Sequence, residues 1–347
     1  MSGKVFDLTG LLREEVESLV EQMDQPRYRG RQLFRWVQAR RVRDLGAMTD
    51  LSRTLRDALR TTVTIGRPTV AKAQRAADGT RKFLLRLDDG EEIESVLIPD
   101  EDRLTACIST QVGCPLACRF CLTGLMGMRR NLTAAEIVGE VLALQDALAP
   151  GERISNVVLM GMGEPLLNFP EVERALTILC DEHGANVSPR RITLSTAGHV
   201  PGIKKLAASD LGVNLAVSLS ATTDAVRDQL MPINKRWPIA ELLKICRDYP
   251  LPNRRRLTFE YVMLDGVNDS PEDARRLTRL LRGIRCKINL IPFNATADLP
   301  DRPSPRDRVE AFQQTLCDAH LTATIRESRG QDISAACGML RTEKDRS

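Results

Sequence analysis

The sequence of 347 residues predicts an α/β protein: a partial (β/α)6 barrel that follows a small helical unit and a connecting β-hairpin. From about residue 104, strand-like and helix-like stretches alternate, which is the pattern of a parallel sheet with crossover helices. A full eight-unit barrel needs about 250 residues, and the alternating region is shorter. We therefore predict an open, partial barrel. Hydrophobic residues make up 42% of the chain, enough for the core of such a fold.

Residues 1–70 predict a helical accessory unit. Glu14 to Met23 carries apolar residues at helical spacing with acidic residues between them. A second amphipathic helix follows, with Leu33, Trp36 and Val37 in its apolar stripe. Met48 to Leu59 supplies a further short helix, which either an Asp or a Ser near its start would cap.

The stretch from Arg27 to Arg43 holds seven arginines and no acidic residue. The simplest interpretation is the solvated face of an ordinary amphipathic helix. The alternative is a surface that contacts RNA phosphates, since arginine without a compensating acid attracts the nucleic-acid backbone. The arginines alone favour the solvated face, and an RNA-binding accessory domain at residues 1–70 is the expectation that we carry forward from the alternative.

Residues 71–99 predict a β-hairpin that links the small unit to the large one. Lys82 to Leu87 and Ile93 to Ile98 are strand-like runs, and Asp88-Asp89-Gly90 between them is a typical turn sequence. Glu94 lies on the second strand, where the simplest interpretation is a solvent-facing side chain. Residues 100–347 then form the partial barrel and a C-terminal loop.

The barrel region contains strand and helix patterns in alternation. The predicted strands are Leu104–Ser109, Ile154–Met160, Arg191–Ser195, Val213–Leu219, Leu257–Met263 and Cys286–Ile291, with a seventh candidate at Leu321–Glu327. The predicted helices include Ala134–Leu148, Val172–Cys180, Ile239–Arg247 and Pro271–Leu281. The first of these helices begins with a capping box, Thr133-Ala-Ala-Glu136.

A cysteine loop, residues 113–124, follows the first barrel strand and holds Cys114, Cys118 and Cys121 within eight residues. This spacing lets a short loop direct three thiolates at one face of a [4Fe–4S] cluster. Iron–sulfur proteins normally supply four cysteines. A group of three therefore leaves one iron with an open coordination site, which indicates a catalytic rather than a structural cluster.

A structural zinc site is the alternative for this loop. Such a site needs four ligands, typically in separated pairs, and no fourth Cys or His lies nearby. The flanking cysteines and the histidines of the chain are Cys107, Cys180, His183, His199 and His320. A disulfide knot is less favoured, because the N-terminus does not resemble a secretion signal. Nine cysteines without such a signal indicate a reducing compartment, so we expect a cytoplasmic enzyme.

Small polar residues follow the other predicted strands. Gly163 and Glu164 follow the second strand, Ser195 ends the third, residues 218–220 (Ser-Leu-Ser) end the fourth and Asn294 follows the sixth. Each alone is explained as a polar loop. Since parallel barrels carry their chemistry at the carboxyl ends of the strands, together they suit a polar cofactor across the barrel mouth.

At these residues the chain resembles the radical SAM RNA methyltransferases of the RlmN/Cfr type, where SAM is S-adenosylmethionine. The resemblance runs from Arg31-Gln-Leu-Phe-Arg-Trp to Cys337. Its most specific segments are Gln111–Gly124, Arg130–Thr133, Met160–Asn168, Met231–Asn234 and Ala335–Gly338. It implies a radical SAM barrel with a [4Fe–4S] cluster on Cys114, Cys118 and Cys121, whose open iron chelates the methionine end of SAM.

The resemblance also implies the remaining site residues. The positions that match the family's SAM contacts are Gly163, Glu164, Ser195, Ser218, Leu219, Ser220 and Asn294. Cys337 matches the cysteine that is methylated first, and Cys107 matches the one that resolves the RNA adduct through a transient disulfide with it. Glu94 matches the family's proton acceptor. The family usually has His where this chain has Ser220, so affinity or geometry would differ if that side chain meets SAM.

The implied scheme answers a chemical difficulty, because C2 of adenine is not nucleophilic and cannot displace a methyl group from SAM. An electron from the cluster cleaves a second SAM to a 5′-deoxyadenosyl radical. This radical takes hydrogen from the S-methyl group of Cys337, and the methylene radical adds to the ring. Two SAM molecules are used per turnover. A buried structural thiol is the alternative for both key cysteines, although the small, loop-like Ser334–Gly338 argues against it for Cys337.

The resemblance implies RNA substrates: adenine 2503 of 23S ribosomal RNA and, in many members, adenosine 37 of tRNA. The form of residues 163–168 is closer to the C2-methylating RlmN branch than to the C8-methylating Cfr branch. We also expect an electron donor such as flavodoxin or ferredoxin, no membrane segment and a monomer. Two alternatives stay open: a radical SAM enzyme with a non-RNA substrate, and a zinc-bearing RNA-binding module.

Overall fold

The computed structural model describes residues 5–342, which form one large mixed sheet with helices packed against it. The strands are β1 (Phe6–Asp7), β2 (Val63–Thr64), β3 (Thr69–Arg75), β4 (Arg81–Arg86), β5 (Glu92–Asp100), β6 (Arg103–Cys107), β7 (Gln111–Gly113), β8 (Met128–Asn131), β9 (Asn156–Leu159), β10 (Ile192–Thr196), β11 (Asn214–Ser218), β12 (Leu257–Met263), β13 (Cys286–Pro292) and β14 (Ala323–Ile325). The α-helices are α1 (Arg13–Glu21), α2 (Tyr28–Gln38), α3 (Arg53–Leu59), α4 (Leu122–Leu125), α5 (Ala134–Asp146), α6 (Phe169–Cys180), α7 (Val200–Ala208), α8 (Asp224–Leu230), α9 (Ile239–Arg247), α10 (Pro271–Leu280) and α11 (Arg306–Asp318).

The main sheet has ten strands in the order β14-β13-β12-β11-β10-β9-β6-β5-β4-β3. Every neighbouring pair from β6 to β14 is parallel, and the strands follow one another in chain order with helices between them. The prediction of an open, partial (β/α)6 barrel is therefore confirmed. The seventh predicted strand exists as the short β14 at the edge of the sheet.

The predicted and observed first and last residues agree best for the elements with the strongest sequence patterns. The predicted strand at Leu257–Met263 and the predicted helix at Ile239–Arg247 coincide with β12 and α9. The capping box predicted at Thr133 and Glu136 is present at the start of α5. The side chain of Ser52, rather than that of Asp50, caps α3 by accepting a hydrogen bond from the backbone of Leu55 at 3.2 Å.

The predicted hairpin is formed by β4 and β5, which pair antiparallel around Gly90 at φ +83°. Its neighbours on both sides are strands as well. β3 pairs with β4, and β5 pairs antiparallel with the first barrel strand, β6. The hairpin is therefore continuous with the barrel sheet, which places its second strand beside β6, the strand that precedes the cysteine loop. The division of the chain into three units at residues 70 and 99 stays a prediction.

Three of the elements missing from the predicted set are β7, β8 and α11, and only the two short strands among them lie near the site. β7 and β8 pair as a short antiparallel ribbon whose strands flank the cysteine loop and α4. α11 follows the proline-rich stretch Leu299–Pro305 and precedes β14. Strands of three or four residues are too short for an alternating pattern to identify.

The helical N-terminal unit packs on α5 and α6. Gly10 lies so close to Ala135 that a Cβ on it would be 2.8 Å from the Cβ of that alanine. Arg174 of α6 donates from Nε to the carbonyl of Gly10 at 2.7 Å. Leu8, Phe34 and their neighbours belong to the same apolar core as the barrel strands. Among the described residues, no helix combines the length and the apolar character that crossing a membrane requires.

Candidate active site

A cleft opens at the carboxyl ends of the parallel strands. It encloses about 910 Å³ of empty space, part of it open to solvent. The predicted site residues that line it are Cys114, Cys118, Cys121, Gly163, Glu164, Ser195, Ser218, Asn294 and Cys337. The strand ends therefore bring together residues that lie up to about two hundred positions apart in the chain.

The backbone of the β7–β8 ribbon fixes the cysteine loop. Gly113 has φ +77°, and a Cβ there would lie 1.9 Å from the carbonyl oxygen of Gly127. The same carbonyl accepts a hydrogen bond from the N–H of Cys114 at 2.8 Å, and the N–H of Cys121 donates to the carbonyl of Cys118 at 3.1 Å. All three cysteine side chains are half-buried in the cleft wall.

An ion pair anchors the loop to the opposite side of the barrel. Arg119 donates from Nε and Nη2 to the two carboxylate oxygens of Asp301, at 2.9 and 2.6 Å. Its backbone N–H donates to the carbonyl of Leu230 at 2.9 Å. Bidentate arginine–carboxylate pairs fix orientation as well as position. The segment between Cys118 and Cys121 is therefore held from two directions.

The three thiols fit the cluster that their spacing predicts. Burial raises the pKa of Cys114 to about 12 and also raises that of Cys118, so these thiols keep their protons until a metal displaces them. Within residues 5–342, no three His, Cys, Asp or Glu side chains lie close enough together to hold a single metal ion. A [4Fe–4S] cluster makes a different demand, because each thiolate binds its own iron.

Glu164 is fixed at the end of β9 by its own hydrogen bonds. Its carboxylate accepts from the backbone N–H groups of Leu166 (3.1 Å) and Ala197 (2.7 Å). Its backbone N–H donates to Oε1 of Gln111 at 2.9 Å. Burial raises the pKa of Glu164 to about 7, despite these bonds. A cationic group in the cleft would favour the ionised form.

The three residues predicted to contact SAM at positions 218–220 do not all reach the cleft. Ser218 lines the cleft, whereas Leu219 and Ser220 are fully buried behind it. Ser220 has φ +50°, and its hydroxyl accepts from the N–H of Val262 at 3.3 Å. Its carbonyl accepts from Nδ2 of Asn268 at 2.7 Å. In this chain, position 220 therefore contributes no side chain to the cleft.

Arg227 links the ends of β10 and β11, and no sequence signal identified it. The fully buried guanidinium donates to the carbonyls of Ala197 (2.7 Å), Ser218 (3.0 Å) and Leu219 (3.0 Å), and to Oδ1 of Asn234 (3.0 Å). Burial lowers its pKa to about 10. The one indirect signal for Arg227 was its partner Asn234, which lies in the segment Met231–Asn234 that carries the family resemblance.

Cys337 lies at the junction of the cleft and a second, smaller cavity. Asn294 donates from Nδ2 to the carbonyl of Cys337 at 3.0 Å and accepts from Nε2 of Gln331 at 2.8 Å. Cys337 has solvent-accessible surface, because it faces the open cleft. The surrounding protein nevertheless desolvates its thiol, which raises the pKa of Cys337. The second cavity is lined by Cys107, Arg326 and again Cys337. The two predicted catalytic cysteines therefore share one cavity.

The disulfide expected from the resemblance is absent, since all nine cysteines are free. Cys107 is buried, and burial raises its pKa far above the ordinary range. Arg326, which sequence patterns did not identify, is the positive charge that opposes this effect at Cys107 and Cys337. Burial therefore favours the neutral thiol at both cysteines, whereas the thiolate is the form that attacks a second sulfur.

Glu94 is buried rather than solvent-facing, and it lines neither cavity. Its carboxylate pairs with Nζ of Lys82 at 2.9 Å and accepts from the N–H of Arg341 at 2.9 Å. Lys82 also donates to the carbonyl of Ser334 at 3.2 Å. The structure therefore ties Glu94 to the segment that carries Cys337.

The arginine-rich stretch has acidic partners that the local sequence does not reveal. Glu17 of α1 pairs with Arg27 at 2.6 Å and with Arg31 at 3.4 Å. Asp146 at the end of α5 pairs with Arg43 at 3.0 Å. Arg40 instead stacks on the ring of Trp36, 4.0 Å from its centroid. Part of the predicted positive face is therefore compensated within the fold.

Two family models match the chain. Residues 108–278 match the Radical SAM superfamily, and residues 6–65 match a family described as the ribosomal RNA large subunit methyltransferase N-terminal domain. The first match includes the whole cysteine loop. It favours an iron–sulfur cluster over the zinc alternative.

Similar proteins cover nearly the whole chain. A dual-specificity RNA methyltransferase RlmN from Syntrophus aciditrophicus is 50% identical over 327 residues, 94% of this chain and 94% of that protein. Its counterpart from Rhodospirillum rubrum is 51% identical over 345 residues, 97% of this chain and 80% of that protein. The crystal structure of a radical SAM methyltransferase from Sphaerobacter thermophilus superimposes with a TM-score of 0.92 at 46% identity, covering 97% of this chain and 99% of that one.

Proposed function

Since the chain belongs to the RlmN family of radical SAM RNA methyltransferases, we propose that it methylates C2 of adenine in 23S ribosomal RNA and in tRNA by way of an S-methyl group on Cys337. The observation that carries the proposal is the position of Cys337, which lines both the cleft beside the cysteine loop and the cavity that contains Cys107. A methyl group on this sulfur would be open to the cofactor from one side and to its resolving partner from the other.

Cys114, Cys118 and Cys121 would hold the cluster, and the rest of the cleft would hold SAM. The bound cluster and SAM supply the radical chemistry that an unreactive aromatic carbon requires. The protein orients the reacting groups and excludes water. Glu164 and Ser195 offer polar contacts, while Arg227 keeps the strand ends of the cleft wall in place.

Asn294 has a second role in this proposal. Its side chain connects Gln331 to the carbonyl of Cys337, so the loop that carries the methylated sulfur is aligned with the cleft. Gly338 continues this alignment, because its carbonyl accepts a hydrogen bond from the N–H of Leu122 at 2.7 Å. The cysteine loop and the Cys337 loop therefore touch through backbone.

Cys107 would resolve the RNA adduct by a transient disulfide with Cys337, for which their shared cavity is the structural support. Glu94 would accept the proton from the ring carbon, on the strength of the family resemblance. Its carboxylate is held by Lys82 and by the N–H of Arg341. For Glu94 to reach the base, the segment around residue 341 has to shift when RNA binds.

The partners follow from this chemistry. A one-electron donor of the flavodoxin or ferredoxin type reduces the cluster. The N-terminal unit and the rim of the cleft contact the RNA. We further propose a cytoplasmic, monomeric enzyme. C2 rather than C8 is the proposed target, because residues 163–168 are closer to the C2-methylating branch.

The replacement Cys337→Ala tests the proposal. The variant should form no methylated adenine when the anaerobically reconstituted protein receives dithionite, SAM and tRNA or a 23S ribosomal RNA fragment, because it lacks the sulfur that carries the methyl group. Nucleoside mass spectrometry measures the product. The matched control is Cys317→Ala on the exposed face of α11, which should leave turnover unchanged.

Three outcomes would contradict parts of the proposal. Full activity of Cys337→Ala would exclude the S-methyl route. Formation of 8-methyladenosine in place of 2-methyladenosine would assign the Cfr-type reaction. Cleavage of SAM without methylation of either RNA would point to a radical SAM enzyme with another substrate.

A further inference from the structure

Glu260, in the middle of β12, is a buried carboxylate in the wall of the cleft to which the proposed reaction assigns no role. Only 6% of its surface is exposed, and it lines the cleft together with Ser195 and Cys337. One of its oxygens, Oε2, accepts a hydrogen bond from the hydroxyl of Ser195 at 3.2 Å. The side chain therefore lies where a ligand of the cleft would meet it.

The second oxygen, Oε1, has no hydrogen-bond partner within the described part of the chain. The cation closest to it is Arg326, whose Nη1 is 3.8 Å away, beyond hydrogen-bonding distance. A buried acceptor without a donor costs about 1–3 kcal/mol, and more when it is charged. Burial raises the pKa of Glu260, while Arg326, Ser195, Lys287 and Asn289, its neighbour on β13, oppose that rise. The free acceptor indicates that a donor arrives with the ligand.

SAM carries three kinds of hydrogen-bond donor: the ammonium group of its methionine part, the vicinal ribose hydroxyls and the adenine amino group. The open iron at the cysteine loop would take the methionine end, close to Glu164. The donors that remain for β12 are those of the nucleoside. A buried carboxylate that accepts from ribose hydroxyls is a recurring mode of nucleotide recognition.

We propose that Glu260 is a SAM-binding residue whose free Oε1 accepts a hydrogen bond from a ribose hydroxyl of SAM. This inference rests on the proposed function, because it requires SAM in the cleft. Glu260 and Cys337 line the same cleft, so a ribose held at Glu260 is held beside the sulfur on which the methyl group is carried.

The test measures binding rather than turnover. Anaerobically reconstituted wild-type protein, Glu260→Gln and Glu260→Ala are titrated with SAM, and then with adenosine and 2′,3′-dideoxyadenosine as competitors. We expect the dissociation constants of SAM and adenosine to rise about tenfold or more in both variants, because a hydrogen bond to a charged group is lost. The affinity for 2′,3′-dideoxyadenosine, which lacks the two hydroxyls, should stay unchanged.

Glu140→Gln is the matched control. Glu140 is also a fully buried carboxyl with one oxygen lacking a partner within residues 5–342, but it lines neither cavity. This variant should bind SAM as the wild type does. Iron content, measured for every variant, shows whether the cluster site has folded.

Each other result overturns the inference. Equal losses for adenosine and 2′,3′-dideoxyadenosine would exclude the ribose hydroxyls, and would assign either the adenine amino group as the donor or a purely structural role to Glu260. A loss for SAM but not for adenosine would assign the ammonium group as the donor, and unchanged affinities would remove Glu260 from the site. Wild-type protein that holds iron but binds no SAM would overturn the proposed function, and this inference with it.

Discussion

Arg227 and Glu260, two charged side chains at the cleft, are buried, although charged residues are seldom buried without partners. Arg227 satisfies its guanidinium with three carbonyls and one amide oxygen. Glu260 keeps one oxygen free. The first arrangement is complete within the protein and serves its stability, whereas the second is completed by a ligand.

Replacing Arg227 by Met should destabilise the folded protein by about 3–5 kcal/mol, because the carbonyls at the ends of β10 and β11 would lose buried donors. The free energy of unfolding in urea measures the effect. The control is Arg275→Met, whose side chain is 57% exposed and pairs with Glu272 at the surface. This control should change stability by less than about 1 kcal/mol, and an equal loss in both variants would contradict the role given to Arg227.

At the scale of single residues, the sequence predicts what spacing and motif express. The three cluster cysteines are recognisable from their spacing, and Cys337 from the small residues around it together with the family resemblance. Arg227, Glu260 and Arg326 could not be identified in this way. Each acquires its meaning from partners on other strands, such as Ser195, which is 65 positions from Glu260.

The β7–β8 ribbon shows how a short element positions a cofactor site. Gly113→Ala should reduce the iron bound after anaerobic reconstitution several-fold, because the new Cβ meets the carbonyl of Gly127 and the loop must shift. Iron and sulfide analysis measures the loss. Gly90→Ala is the matched control, since Gly90 also has a positive φ but has open space around it. It should cost about 1–2 kcal/mol of stability and keep full iron content. Full iron content in Gly113→Ala would contradict this account of the loop.

Length and regularity favour prediction from the sequence, although α11, with 13 residues, was also missed. β12 and α9 were predicted with their observed bounds because seven to nine residues give a clear period. β7, with three residues, offers no such period. Its existence depends on pairing with β8, which lies beyond the intervening cysteine loop and α4.

At the scale of the whole molecule, the fold brings the C-terminal segment to the centre of the site. The N–H of Ala77 donates to Asp332 at 3.0 Å, and the hydroxyl of Thr123 donates to the carbonyl of Leu340 at 2.7 Å. The hairpin region and the cysteine loop thus hold the Cys337 loop from two sides. No local pattern relates these segments, so only the family resemblance suggested from sequence that Cys337 belongs with the cysteine loop.

The distribution of charge is also a property of the whole molecule. The local sequence between Arg27 and Arg43 contains no acid, yet Glu17 and Asp146 pair with several of its arginines. A net charge of +4 is spread over 50 basic and 46 acidic residues. The RNA-binding face expected of the N-terminal unit is therefore smaller than the run of arginines suggests.

The central claim is that the methyl group reaches RNA from the sulfur of Cys337. Protein premethylated with SAM that carries a carbon-13 methyl group, freed of excess SAM and given RNA, reductant and unlabelled SAM for a single turnover, tests it directly. We predict that mass spectrometry finds carbon-13 in the methyladenosine formed and that the peptide containing Cys337 loses its label. Methyladenosine formed without the label, while the label stays on Cys337, would contradict the claim.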